Sequence, residues 1–112
     1  MRTPVLVVAR DGDIWIFRDA DRAANWMEAQ DVRDGEYRLF DCAGTQYQIT
    51  ADSDSSPVHT GHPISGGDNF DYVRRLASEY LAALPPQRRP QAGAIDLAQP
   101  DGVCRALAPF AG

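Results

Sequence analysis

The first two strand-forming segments of the chain carry large apolar side chains on both faces. Residues 5–10 are mostly apolar, residues 14–18 read Ile-Trp-Ile-Phe-Arg, and the Asp11-Gly12 pair between them favours a tight hairpin turn. Successive residues of a strand point to opposite faces of the sheet. One face of the second strand therefore holds Ile14 and Ile16, and the other holds Trp15 and Phe17. Neither face suits water, so a stable fold has to cover both.

Two further strands and a helix are expected in the first half of the chain. A helix over about residues 20–30 is indicated by alanines at helical spacing after the capping residue Asp19 or Asp21. The segments Tyr37 to Cys42 and Thr45 to Ala51 read as strands joined by a turn. They form a second predicted hairpin.

The second half of the chain predicts a loop, one helix and a tail. Residues 52–68 concentrate turn formers without a sustained period, which indicates a long loop. A helix is expected to begin at Asp68 or Asn69 and to end before Pro85. The apolar stripe that indicates it consists of Phe70, Val73, Ala77, Tyr80, Leu81 and Leu84.

These elements predict an α+β fold with a four-stranded antiparallel sheet in ββαββα order and two helices, followed by a Pro-rich tail. The predicted domain is residues 1–84, and residues 85–112 form the tail, which has apolar residues that allow part of it to dock. Two helices on one side of a sheet leave one apolar row uncovered. We expect that row to be covered by the tail, by a second copy of the chain or by a different protein.

The net charge indicates the class of partner, and the apolar run near the first residue and the cysteines bear on the cellular compartment. The net charge of −5 disfavours nucleic acid and anionic membranes as partners and favours a basic protein. The apolar run near the first residue is too short for a signal-peptide core or a membrane span, which predicts a cytoplasmic protein. In that compartment Cys42 and Cys104 are expected to be free thiols more often than a disulfide.

No catalytic motif is apparent, so no catalytic residue and no cofactor is predicted. His59 and His62 are the candidate metal ligands, but they lie three residues apart in a predicted loop, without a third histidine or a Cys pair to complete a tetrahedral site. Cys42 as a nucleophile would need a base from a distant part of the chain. Turn and cap roles account for most of the paired carboxylates.

The stretches from Ile14 to Asp19, from Ala23 to Glu28 and from Asp31 to Gly44 resemble small bacterial proteins of the immunity type, from polymorphic toxin systems. The resemblance covers roughly residues 5–84 and consists of a pattern of apolar and turn residues. It implies stoichiometric inhibition, in which an acidic surface binds a cationic toxin domain. It transfers no site residue.

The sequence therefore favours a non-enzymatic protein-binding module, such as an immunity, inhibitor or accessory protein, that binds a basic partner through an acidic surface. One alternative is a homodimeric structural module that uses the apolar sheet face for self-association. Another is a small metal-dependent enzyme or sensor that uses His59 and His62. The predicted partner-binding residues are Trp15, Phe17, Glu28, Asp31, Asp34 and Glu36.

Overall fold

The computed structural model describes residues 1–90 and 96–112, and for residues 65–68 the backbone alone. In the described residues the chain forms a five-stranded sheet and four α-helices. The strands are β1 (Val5–Ala9), β2 (Ile14–Phe17), β3 (Tyr37–Asp41), β4 (Thr45–Ala51) and β5 (Val58–Asp68), and the helices are α1 (Ala20–Trp26), α2 (Ala29–Arg33), α3 (Phe70–Ala83) and α4 (Pro100–Leu107). Short 3₁₀ turns at Pro86–Arg88 and Ala108–Phe110 follow α3 and α4.

The sheet is antiparallel throughout, in the spatial order β2-β1-β3-β4-β5. The predicted hairpin of β1 and β2 is present, and Gly12 in its turn has a φ of +97°, which a residue with a side chain rarely adopts. β1 also pairs with β3 along its whole length, from Val5 opposite Asp41 to Ala9 opposite Tyr37. This central position explains why β1 is apolar on both faces, since it has a strand on each side and helices above and below.

The fifth strand is a correction to the predicted four-stranded sheet. β5 occupies part of residues 52–68, where a loop was expected, and pairs with β4. Its sequence lacks an apolar alternation, and its register against β4 shifts on both sides of Tyr47. Backbone hydrogen bonds hold such an irregular edge strand, and they leave no periodic trace in the sequence.

The prediction of two helices is also wrong, because the structure has four. The helix expected over residues 20–30 is two short helices, since Met27 and Glu28 adopt extended backbone angles between α1 and α2. Asp19 caps α1 as predicted, and its carboxylate accepts a hydrogen bond from the backbone N–H of Arg22 at 2.9 Å. The break at Met27 lets its side chain turn into the core, where it is 4% exposed.

The fourth helix lies in the segment that was expected to be a Pro-rich tail. α4 buries Val103 and Leu107 completely against the sheet and α3. Its Gly102 lies so close to the backbone carbonyl of Asp96 that a Cβ atom at this position would collide with it. The spacing of these residues in α4 is helical, but the prolines and glycines around them dominated the sequence pattern. Residues 91–95, also part of the predicted tail, lie outside the described residues.

Helices cover both faces of the sheet, and this meets the requirement set by the first hairpin. On one face α1 and α2 pack on Val5, Val7, Phe17 and Leu39. On the other face α3 and α4 pack on Leu6, Val8, Ile16 and Phe40. The two apolar rows of β2 are therefore covered within a single chain. None of the described helices is long and apolar enough to cross a membrane.

A disulfide joins Cys42, directly after β3, to Cys104 in α4, with their Cα atoms 5.1 Å apart. The expectation of free thiols is therefore wrong. Sequence alone could not pair the two residues, since they are 62 positions apart and α4 was not predicted. Folding brings them together because Cys42 lies on the α3 and α4 face of the sheet, within the same apolar cluster as Cys104.

Candidate functional site

A cleft opens where β1 ends and β3 begins. It has a volume of about 490 Å³. Residues from the β1–β2 hairpin line one side, and residues from α2 and the start of β3 line the other. Together they are Ala9, Arg10, Asp11, Trp15, Asp31, Asp34, Glu36 and Tyr37. We call this set the acidic cleft.

A tight turn between α2 and β3 brings the carboxylates of the acidic cleft together. Gly35 has a φ of +74°, so the chain reverses direction there. The reversal is held by backbone hydrogen bonds from the N–H of Glu36 to the carbonyl of Asp31 and from the N–H of Arg10 to the carbonyl of Glu36. Asp31 on α2, Asp34 after it and Glu36 before β3 consequently face the hairpin residue Asp11 across one opening.

Arg10 is the single basic residue that lines the acidic cleft, and its guanidinium is engaged on one wall. Its Nη2 donates hydrogen bonds to the carbonyl oxygens of Asp34 and Gly35 at 3.0 and 3.3 Å. Its Nη1 lies 3.5 Å from Oε1 of Glu36 in an exposed ion pair. Arg10 thus fixes the α2–β3 turn and offsets one of the four carboxylates, so the cleft keeps an excess of negative charge.

Tyr37 forms part of the floor of the cleft. Burial is the main cause that raises the pKa of its phenol, and the charge of Asp31 adds to this effect. The phenol oxygen lies 3.5 Å from Oδ2 of Asp31, at the limit of a hydrogen bond, and Glu28 and Glu36 raise the pKa further by their charge. At neutral pH Tyr37 is therefore a neutral O–H donor that points toward a carboxylate.

An aromatic cluster adjoins the acidic cleft. Trp26, at the end of α1, lies with its ring centroid 4.6 Å from that of Trp15 and 5.6 Å from those of Phe17 and Tyr37. Tyr37 also meets Trp15 edge to face at 6.3 Å. Trp26 is 40% exposed, an unusual fraction for so large an apolar side chain. The cluster therefore places an open indole surface beside the carboxylates.

The structure brings four of the six predicted partner-binding residues into one cleft, namely Trp15, Asp31, Asp34 and Glu36. Glu28 is exposed at the start of α2 and lies close enough to act on Tyr37 by its charge. Phe17 is 9% exposed and packs against Trp26, so it offers almost no surface to a partner.

Sequence reasoning missed four members of this site: Arg10, Asp11, Trp26 and Tyr37. Asp11 was assigned only a turn role, and Tyr37 only a place in a strand. For Trp26 a signal existed, because a tryptophan directly before the buried Met27 falls on the border of the apolar face of α1. The proximity of Arg10 and Asp11 to the acidic segment depends on the pairing of β1 with β3, which the sequence does not specify.

The two histidines lie apart from this cleft. His59 and His62 are exposed on β5, and His59 stands opposite Thr50 of β4. Within residues 1–90 and 96–112 no group of three or more His, Cys, Asp and Glu side chains is arranged to hold a metal ion.

A buried carboxylate elsewhere, Asp41, is fully engaged in structure. It is 2% exposed. Its Oδ1 accepts hydrogen bonds from the backbone N–H groups of Ala43 and Thr45 at 3.0 Å each, and its Oδ2 accepts from the N–H of Arg2 at 3.1 Å and from the hydroxyl of Tyr47 at 3.4 Å. With both oxygens occupied, Asp41 organises the β3–β4 turn and has no lone pair directed at a substrate.

Comparisons of the chain with protein-family models, curated proteins and solved structures gave no match.

Proposed function

We propose that the chain is a non-enzymatic protein-binding module that receives a basic segment of a partner protein in the acidic cleft. The observation that carries this proposal is that four carboxylates and the aromatic side chains of Trp15 and Tyr37 line one opening of about 490 Å³. No side chain in this opening forms a nucleophile and base pair, which makes recognition a better account of it than catalysis.

The chemistry of the cleft suits an arginine side chain of the partner. A guanidinium is planar, forms paired hydrogen bonds with carboxylates and stacks on aromatic rings. Asp31 and Asp34 supply the acceptors, and the half-buried Trp15 supplies an aromatic ring. Arginine and tryptophan are also the residues that most often dominate the binding energy of protein interfaces. The exposed Trp26 extends the proposed contact beyond the cleft.

An inhibitory role follows from this chemistry. Toxin domains that act on nucleic acid need a basic surface, and an acidic protein that covers such a surface blocks access of the substrate. The cleft has the sign of charge that an immunity-type inhibitor requires, and the sequence pattern resembles such proteins. We therefore propose an immunity or accessory protein as the biological role, with a basic toxin domain as the partner class.

The experiment begins with the tagged full chain purified from its host and native mass spectrometry of the complexes that accompany it. A basic protein in a fixed stoichiometric ratio supports the proposal. The affinity of that partner is then measured by calorimetry at 50 and 300 mM salt. We expect binding to weaken with salt because the attraction is between charged groups near the surface.

Two charge-matched variants make the test specific to the cleft. Asp31→Asn with Asp34→Asn removes two charges inside the cleft, whereas Asp52→Asn with Glu79→Gln removes two exposed charges outside it. We expect the first pair to weaken binding at least tenfold and the second pair to change it less than threefold. Equal effects of the two pairs would show that net charge, and not the cleft, attracts the partner. A chain that only forms homodimers would favour the structural alternative.

A further inference from the structure

The C-terminal segment, residues 96–112, is held to the rest of the fold in three ways. The disulfide from Cys42 to Cys104 is the covalent attachment. Val103 and Leu107, both fully buried, are the apolar attachment. The third is at the edge of the sheet, where the N–H of Gly112 donates to the carbonyl of Ile16 at 2.9 Å and the N–H of Arg18 donates to the carbonyl of Gly112 at 3.1 Å.

The two hydrogen bonds of Gly112 cover part of an exposed edge of the sheet. β2 is the outermost strand on its side of the sheet, so within residues 1–90 and 96–112 its outward backbone groups have no strand partner. Gly112 pairs with the end of β2 and satisfies two of these groups. Unpaired edges attract other extended chains, so a segment that covers one suppresses unwanted pairing. The position of the C-terminal segment therefore affects both the core and the edge.

The disulfide is placed where it can hold this segment. Cys42 directly follows β3 and is fully buried, and Cys104 lies within α4 and is 7% exposed. Cys42 is adjacent to Asp41, whose hydrogen bonds fix the β3–β4 turn, so one end of the bridge is attached to a rigid point. The other end lies on an eight-residue helix that α3, the sheet and the Arg2–Asp101 ion pair also contact.

We propose that the Cys42–Cys104 disulfide is an oxidation-dependent latch, meaning that it holds residues 96–112 on the fold when oxidised and lets them open when reduced. We also propose that the chain reaches this fold in an oxidising compartment. In the forming step a thiolate of the reduced chain attacks the disulfide of a thiol–disulfide oxidant and forms a mixed disulfide. The second cysteine thiolate then displaces the oxidant. Two electrons and two protons pass from the cysteine thiols to the oxidant, which leaves as a dithiol. Disulfides of this buried, structural kind belong to oxidising compartments, whereas the cytoplasm keeps thiols reduced.

Reduction of the latch has a structural consequence. Without the bridge, the segment is held by its apolar contacts, by the Arg2–Asp101 ion pair and by the hydrogen bonds of Gly112, so it opens more often. Opening exposes the outward backbone of Ile16 and Arg18 at the edge of β2. It also uncovers Leu81 and Leu84, which pack with Ala106 of α4. The effect is confined to this side of the sheet, because α1 and α2 cover the other side without cysteine.

The first test counts thiols in the full chain isolated from its host. The cells are quenched in acid, free thiols are alkylated in denaturant, and the intact mass is measured. We expect no alkylated cysteine, and two after treatment with dithiothreitol. Two alkylated cysteines before reduction would overturn the proposal. A disulfide-linked dimer mass would also overturn it, because the bridge would then join two chains.

The second test compares hydrogen exchange in the oxidised and reduced forms of the same preparation. The chain is unfolded with dithiothreitol in guanidinium and refolded with dithiothreitol, and half is then reoxidised. We expect backbone N–H groups of residues 100–112 to exchange at least tenfold faster in the reduced form, with smaller changes in α1 and β1. Reoxidation should restore the slow rates. Equal exchange of the segment in the two forms would show that the bridge is not a latch.

A variant supports the redox comparison. Cys42→Ser with Cys104→Ser should behave as the reduced form in oxidising buffer and should melt about 15 °C lower than the oxidised chain. Should this variant fail to fold, the reversible change in exchange of the wild-type chain still decides the question. Because neither test uses a binding partner, failure of the latch and failure of the proposed binding function are separate outcomes.

Discussion

The two faces of the sheet are held by different chemistry at the same end of β3. Asp41 and Cys42 are neighbours in the chain, but their side chains serve opposite faces. Asp41 accepts four hydrogen bonds and ties the residues near the start of the chain to the β3–β4 turn. Cys42 makes a covalent bond to α4 on the other face. One face therefore depends on a polar hub and the other on a disulfide.

The difference extends to the helices. α1 and α2 contain seven and five residues and leave Trp26 and the acidic cleft open. α3 and α4, in contrast, bury Val73, Val103 and Leu107 completely. Short helices with exposed aromatic and acidic side chains suit recognition, whereas a closed apolar layer suits stability. We infer that the α1–α2 face contacts the partner and that the α3–α4 face maintains the fold.

The largest expected effect tests whether the α3–α4 face stabilises the fold. Leu107→Ala removes a fully buried side chain of α4 and leaves a cavity next to Val103. We expect it to lower the free energy of unfolding by about 2–5 kcal/mol in the oxidised chain, measured by urea denaturation. It should leave partner affinity unchanged under conditions where the variant is folded. A loss below about 0.5 kcal/mol would contradict the assignment of α4 to the core.

The next effect tests Asp41, the polar hub of the α1–α2 face. Asp41→Ala leaves the N–H groups of Ala43 and Thr45 without their acceptor, so we expect a loss of about 1–3 kcal/mol by the same measurement. Asp52→Ala is the matched control, because Asp52 is exposed, and it should change stability by less than about 0.5 kcal/mol. Equal losses in the two variants would show that the four hydrogen bonds of Asp41 contribute nothing specific.

The sequence was most informative where side-chain period and turn chemistry agree. The hairpin of β1 and β2, the strand Thr45–Ala51 and the stripe of α3 all have an apolar period bounded by turn or cap residues. The requirement to cover both faces was also visible in Ile14, Trp15, Ile16 and Phe17. The sequence did not show that α4 covers one of these faces. α4 lies among prolines and glycines, and it docks through contacts with residues far away in the chain.

The missed parts of the fold and the site share one physical cause. β5 is held by backbone pairing to β4, and the cleft is assembled by pairing of β1 with β3; neither depends on a local pattern. The acidic residues Asp31, Asp34 and Glu36 could be grouped because they are close in sequence. Asp11 could not, since its distance from that segment is set by the pairing of β1 with β3.

We expect Trp26→Ala to lower stability less than the two preceding variants do and to weaken partner binding more. Trp26 is 40% exposed and its ring contacts are with Trp15, Phe17 and Tyr37, so its loss should lower the free energy of unfolding by only about 1 kcal/mol. Partner affinity, measured by calorimetry, should fall at least tenfold. Tyr80→Ala is the matched control on the other face, where the ring packs against Phe110, and it should leave affinity unchanged. A loss of affinity in Tyr80→Ala with none in Trp26→Ala would exchange the roles that we assign to the two faces.

The smallest effect is a pH dependence of the α1–α2 face. The pKa values of Tyr37 and Tyr47 are raised, in both cases mainly by burial, with Asp31 and Asp41 respectively adding to the shift. A raised pKa means that the folded chain holds the phenol proton more tightly than the unfolded chain does. The contribution to stability is therefore complete below the unfolded value of about 10 and is lost as the pH rises through the higher folded value.

The composition makes this effect measurable, because the chain has four tyrosines and no lysine. Above pH 9 the tyrosines are then the main side chains that titrate, since arginine stays charged. We expect thermal stability to fall as the pH rises above about 10. The fall should be shallower in Tyr37→Phe and in Tyr47→Phe than in the wild-type chain, because each variant removes a phenol whose pKa burial and a nearby carboxylate raise. An alkaline slope in both variants that is identical to the wild-type slope would show that the carboxylates of the α1–α2 face do not act on its phenols.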